Sequence, residues 1–130
     1  MATVIDVLSC ERRALRSTRT GEAFCESVVL SKLLAVDSVF IHFDVIAPGH
    51  RASAPHSHSA RDEVVLVLSG SVLAKEGEAE HRLGPLQMIA FRAAGSPHVV
   101  INDGAETASI MVIASEAEGD RVSYAGEGGA

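Results

Sequence analysis

The feature that most constrains this chain is a succession of short β-type runs, each closed by residues that stop a strand. SVVLSKLLAV (27–36) ends at Asp37, and SVFIHFDVIA (38–47) ends at Pro48-Gly49. DEVVLVLSGSVLAK holds two runs that meet at Ser69-Gly70, and Glu80–Leu83 leads into Gly84-Pro85. QMIAFRA, PHVVIN and ASIMVIA come next, separated by Gly95-Ser96 and Asn102-Asp103-Gly104. β-Branched and aliphatic runs of four to eight residues, bounded by Gly, Pro, Asn and Asp, predict an all-β sandwich or barrel. No long segment carries helical spacing, so the strand–helix alternation of a parallel sheet is absent.

At 130 residues the chain has the length of one domain. We divide it into an irregular N-terminal arm (1–26), a strand-rich body (27–115) and a Gly-rich C-terminal tail (116–130) with the character of a mobile segment. Aromatics make up 4% and Trp is absent, so Val, Ile, Leu and Ala must build the core. The net charge of −6 comes without any basic run, which argues against nucleic acid and against an anionic membrane surface as partners. No apolar stretch approaches the roughly 20 residues that span a bilayer. In MATVIDVLSCERR the charges come after the apolar run, the reverse of a secretory signal, so the expected location is cytoplasmic. Cys10 and Cys25 lack CxxC spacing and read as inert reduced thiols.

The segment HSHSARDE, residues 56–63, raises the chemical question. In an extended chain His56 and His58 point to the same face. Glu63 shares parity with Val65 and Val67, so it can face the interior with them, where a carboxylate needs a partner. Two readings stand at this point: a polar turn that contains two histidines, or a divalent metal site. Imidazole with carboxylate suits Fe, Mn, Ni, Cu or Zn.

Gly49, six residues, His56-Ser57-His58, four residues, Glu63, six residues and Gly70 resemble the first motif of the cupin superfamily. Gly95-Ser96-Pro97-His98-Val99-Val100-Ile101-Asn102 resembles the second half of the second motif. Leu86-Gln87 stand where that motif usually has Gly-Asp, and one extra residue precedes Gly95. The resemblance spans residues 38–114 and implies a small double-stranded β-helix, or jelly-roll, barrel. It also implies one divalent ion (Fe, Mn, Ni or Zn) bound by His56, His58, Glu63 and His98. A homodimer is a further implication, and the run 27–36 fits its edge, since exposed apolar edges tend to be covered.

Of the other histidines, His50 and His81 read as solvated. His42 shares parity with Phe40, Asp44 and Ile46 and faces either the cavity or the outside; the outer face is the expectation. Arg61 and Asp62 read as a solvated turn, and Asn102 as a side chain that fixes the turn at Asp103-Gly104. The expected function is an enzyme acting on a small, partly apolar oxygenated molecule at the metal, of dioxygenase, isomerase or lyase type. The alternative is a non-catalytic binding or sensor module with no DNA-binding domain of its own. No general acid or base is identifiable from the sequence, so the catalytic residues are left open.

Overall fold

The structure, a computed structural model, describes residues 1–125. Among them the strands are β1 (Arg13–Arg16), β2 (Ala23–Val29), β3 (Val39–Ile46), β4 (His56–His58), β5 (Glu63–Ser69) and β6 (Val72–Glu76). They continue with β7 (Ala79–Leu83), β8 (Met88–Phe91), β9 (His98–Ile101), β10 (Ala108–Ser115) and β11 (Val122–Tyr124). One short helix, α1 (Leu30–Leu34), comes directly after β2. The strands form two antiparallel sheets, ordered β1-β2-β3-β10-β5-β8 and β11-β4-β9-β6-β7. This is the all-β jelly roll that the run pattern and the motifs imply.

Alternation along the strands sorts the side chains. In β5, Glu63, Val65 and Val67 are buried while Val64, Leu66 and Leu68 are only half-buried. The central core lies between the two sheets: Val65, Val67, Phe91 and Ile110 from one meet Val72, Ala74, Leu83 and Val100 from the other. Side chains that leave the opposite face of β3 and β10, Phe43, Val45 and Met111, are covered by α1 and by Ile5, Val7 and Cys10 of the N-terminal segment. That second cluster is why the outer face of β3 is apolar.

Two features depart from the sequence reading. SVVLSKLLAV is not one strand, because β2 ends at Val29 and the chain turns into α1, which Ala35 closes in a left-handed conformation (φ 57°). Nor is this run a sheet edge, since β2 lies between β1 and β3 and the exposed β1 is outermost. The sheets also draw on more of the chain than residues 27–115. β1 and the start of β2 come from the segment read as an arm, and β11 comes from the segment read as a tail. The last five residues of that tail reading, 126–130, lie outside the described residues.

Gly70 turns β5 into β6 with φ +75°, a backbone region that disfavours side chains. A Cβ there would lie 2.8 Å from both the Ala108 Cα and the Thr107 carbonyl oxygen, so glycine also permits the close approach of β10. Leu86 adopts the same left-handed region (φ 67°) at the place where the resembling motif carries glycine. Its neighbour Gln87 accepts the Gly84 N–H through Oε1 at 2.7 Å, which closes the turn.

Candidate metal centre

The two sheets meet at one end of the barrel around a cluster of His56, His58, Glu63 and His98. β4 supplies His56 and His58 on one face, two residues apart. β9 lies antiparallel to β4 with His98 directly opposite His56, so their rings emerge side by side with centroids 4.6 Å apart. Glu63 comes from the other sheet, at the first position of β5, between Ala114 and Phe91 on its neighbouring strands. Phe91 stacks on the His98 ring at 4.1 Å and 5°, which fixes the plane of that imidazole.

One oxygen of Glu63 is the meeting point. Its Oε1 stands 2.9 Å from His98 Nε2, 3.2 Å from His58 Nε2 and 3.6 Å from His56 Nε2. Ligand atoms of His56, Glu63 and His98 all lie within 4.8 Å of one another. His58 reaches the same oxygen but stands outside that tight group of three.

The far sides of the rings decide what this cluster can hold. His56 Nδ1 lies 2.9 Å from the Ala54 carbonyl oxygen, which only accepts, so Nδ1 carries the hydrogen. His58 Nδ1 lies 2.7 Å from Asp120 Oδ2, a carboxylate, and is assigned its hydrogen in the same way. In their neutral forms both rings therefore aim an Nε2 lone pair at a carboxylate oxygen. Such facing acceptors need a cation between them, either a proton or a metal ion. A divalent metal that favours imidazole and carboxylate fits the donor set, with Asp120 and the Ala54 carbonyl as the outer partners that commonly orient such histidines.

The electrostatics arise from the same contacts. Burial pushes the Glu63 carboxyl up, but contacts with His56 and His98 and the charge of His58 outweigh it and hold the group well below the usual carboxylate range. Burial pulls the His56 imidazole down, and Glu63 with the Ala54 carbonyl reverses this, leaving it above its ordinary value. Desolvation also opposes ionisation of Asp120, yet His58 and the Ala60 and Arg61 backbone N–H groups hold it below the usual range.

A cavity of about 260 Å³ opens onto the cluster. Its wall is mostly apolar, with Val65, Val100, Ile110 and Val112, and it carries three polar features the sequence reading placed elsewhere. His42 lines this cavity, a correction to the expectation of an outer position. The register explains it: His42, Val112 and Val65 are aligned across β3, β10 and β5 and share the inner face. His42 Nδ1 lies 2.8 Å from Asp44 Oδ1, and the Ser27 hydroxyl donates to that same oxygen at 2.6 Å. Asp44 is 2% exposed.

Arg61 also lines the cavity rather than a solvated turn. Tyr124 lines it too, with its ring 5.9 Å from that of His56. Asp62 is exposed as expected and accepts the Ala93 N–H at 2.8 Å. His50 is half-buried and tethered by Nδ1 to the Phe24 carbonyl at 3.0 Å, which corrects its reading as solvated, whereas His81 is exposed. Asn102, fully buried, donates to the Ile46 and Glu106 carbonyls and accepts the Gly104 N–H. It thereby fixes the expected turn and ties it to β3.

Asp120 is the supporting residue that the sequence reading missed. It sits in ASEAEGDRVSYAGEGGA, whose loss of apolar pattern suggested a tail. The structure instead lays β11 against β4 and brings Asp120 Oδ1 to the Ala60 and Arg61 N–H groups at 2.8 and 3.0 Å. The only local signal was the alternating Val122-Ser123-Tyr124.

A family model described as the cupin domain matches residues 42–114. No curated protein matches the sequence. Among solved structures, the chain resembles a sugar phosphate isomerase from a cupin superfamily of Silicibacter pomeroyi DSS-3, with TM-score 0.86 and 23% identity over 95% of this chain and 82% of that one. A putative sugar phosphate isomerase from Acidithiobacillus ferrooxidans gives TM-score 0.72 and 27% identity over 77% of this chain and 64% of that one. The polyketide cyclase RemF from Streptomyces resistomycificus gives TM-score 0.76 and 20% identity over 98% and 89%.

Proposed function

The chain belongs to the cupin family, and from that premise we propose that it is a metal-dependent enzyme acting on a small oxygenated molecule by proton transfer. His56, His58, Glu63 and His98 would hold one divalent ion, which would supply Lewis acidity to an oxygen of the substrate. The observation that carries the reading is the pairing, in the lining of one cavity, of the His/Glu cluster with a separate His42–Asp44 pair.

Asp44 is acceptor-only and buried, so it keeps the hydrogen of His42 on Nδ1 and leaves Nε2 as the basic nitrogen. An imidazole oriented by a buried carboxylate is the usual form of a general base. His42 takes a proton from the carbon next to a substrate carbonyl and returns it to that carbon or, once the adjacent hydroxyl has passed its proton to the carbonyl oxygen, to the former carbonyl carbon. Isomerase- or lyase-type chemistry fits this arrangement better than simple ligand sensing, which has no use for a base. That solved relatives include proteins described as sugar phosphate isomerases is in keeping with it.

The test is solvent exchange. Zinc- or manganese-loaded protein is incubated in D₂O with a panel of small hydroxycarbonyl compounds and monitored by proton NMR. Wild type is expected to exchange a C–H next to the carbonyl of at least one compound. His42→Asn is expected to lose the exchange while keeping its metal content by elemental analysis. Exchange that survives in His42→Asn, or its absence across the panel with metal bound, defeats the proposal. A cytoplasmic homodimer remains our expectation for the assembly, with the exposed β1 at the sheet edge as its contact. A single monomeric species in sedimentation velocity removes it.

A further inference from the structure

Arg61 is the one arginine or lysine among the described residues that line the cavity. It lies in the loop between β4 and β5, where Asp120 holds its backbone N–H at 3.0 Å. Its guanidinium carbon sits 5.2 Å from the centre of the Phe40 ring, a flat apolar support. Its Nε is enclosed and meets no acceptor. Its Nη2 is 3.9 Å from the exposed carboxylate of Glu116, beyond hydrogen-bond reach. A buried donor without an acceptor is uncommon, and a guanidinium cannot relieve the deficit by losing its proton. An atom so enclosed is closed to an incoming molecule as well; the donors left for one are the Nη groups, which make no hydrogen bond among the described residues.

Charge narrows the class of that molecule. Asp44 and Glu63 each bring one negative charge to the cavity lining and Arg61 one positive charge. With a divalent ion at the cluster, neutral histidines and the Asp120 carboxylate behind His58 counted, these charges cancel. A monoanion then leaves one uncompensated charge beside Arg61 and a dianion two, the costlier in an apolar wall. The planar fork of a guanidinium also matches a carboxylate.

We propose that the cavity binds a small organic monoanion, a hydroxy or oxo carboxylate, with its carboxylate on Arg61 and its hydroxyl or carbonyl oxygen facing the His/Glu cluster. The orientation and the choice of a single negative charge rest on the metal-centre reading; the free donors of Arg61 do not. Arg61 is thus the residue that selects acids over neutral polyols of the same size.

The test compares L-lactate, propane-1,2-diol and 2-hydroxyethyl phosphate by NMR chemical-shift titration. Wild type, Arg61→Gln and Arg61→Lys are each titrated zinc-loaded and chelator-treated, with zinc content measured independently. Wild type is expected to bind lactate at least about tenfold more tightly than the diol, the scale of one charge-assisted pair. It is also expected to bind lactate more tightly than the phosphate. Arg61→Gln abolishes the preference for lactate, Arg61→Lys keeps part of it, and both retain zinc as wild type does. A preference that persists in Arg61→Gln overturns the assignment, because another group then holds the carboxylate. Tighter binding of the phosphate overturns the carboxylate class, and no binding of lactate in either form overturns the site. If no variant retains zinc yet Arg61→Gln still removes the lactate preference, the metal reading fails and the anion site stands.

Discussion

Replacing Asp120 by asparagine exchanges one carboxylate oxygen for an NH₂ group at the atom that holds the His58 ring. Oδ1 is free to go on accepting the Ala60 and Arg61 N–H groups, so the loop should keep its shape. The atom opposite His58 Nδ1, now 2.7 Å away as an acceptor, becomes a donor. The neutral His58 ring answers by moving its hydrogen to Nε2, 3.2 Å from Glu63 Oε1. That nitrogen then has no lone pair for a metal. Loss of an outer partner of this kind lowers metal affinity about 10- to 100-fold, or roughly 1.4–2.7 kcal/mol.

The metal-free fold should hardly notice, because the new Nε2–H donates to Glu63; the expected change is below about 1 kcal/mol. Zinc affinity is measured by competition with a chromophoric chelator near neutral pH, beside urea denaturation of chelator-treated protein. Asp120→Ala provides contrast, since it removes all three acceptor contacts and should also cost about 1–3 kcal/mol in the metal-free state. Asp120→Asn with wild-type zinc affinity and an unchanged urea midpoint would refute the reasoning. Either His58 does not bind the metal, or Asp120 does not set its tautomer.

Three further outcomes are expected from backbone and thiol environments. Gly70→Ala should destabilise the fold by at least about 2 kcal/mol in urea, since strain at φ +75° adds to contact with β10 backbone at 2.8 Å. Leu86→Gly should stabilise by about 0.5–1 kcal/mol, because relief at φ 67° exceeds the added freedom of the unfolded chain. Burial, and secondarily the charge of Asp44, pushes the Cys25 thiol from 9.0 up to about 12. The folded value lies above the unfolded one, so this stabilisation is complete below pH 9.0 and is lost as pH rises towards about 12. Wild type should therefore lose about 1.4 kcal/mol between roughly pH 8 and 10 relative to Cys25→Ala. Equal pH profiles for the two proteins would contradict it.

The strand runs and the spacing of His56, His58 and Glu63 were legible because each depends on nearby residues. His56 and His58 share a face through the two-residue period, and Glu63 heads a strand whose inward set is fixed by the same period. What stayed illegible depends on distant partners. Helix α1 forms in an apolar run because Ser31, 4% exposed, trades hydrogen bonds with the Ile41 backbone. That is a tertiary contact without a local signature. His42 was ambiguous because it shares its face with the charged Asp44 while Ile41, Phe43 and Val45 make the other face apolar, and only the N-terminal segment covering that outer face resolves which side is the cavity. Arg61 looks like any charged loop residue until Phe40, 21 positions earlier, is placed beneath it. Asp120 acts 62 positions from the histidine it holds, out of an acidic, Gly-rich stretch.

That spread along the chain has a thermodynamic consequence. Glu63 and His98 are 35 positions apart, so the unfolded chain keeps only His56, His58 and Glu63, within eight residues, as a local set of donors. Denatured protein, without His98 beside them, is a weaker competitor for a cation, and the surplus affinity of the folded cluster is returned as resistance to unfolding. At a free ion concentration a hundred times the dissociation constant, that linkage amounts to at most about 2.7 kcal/mol.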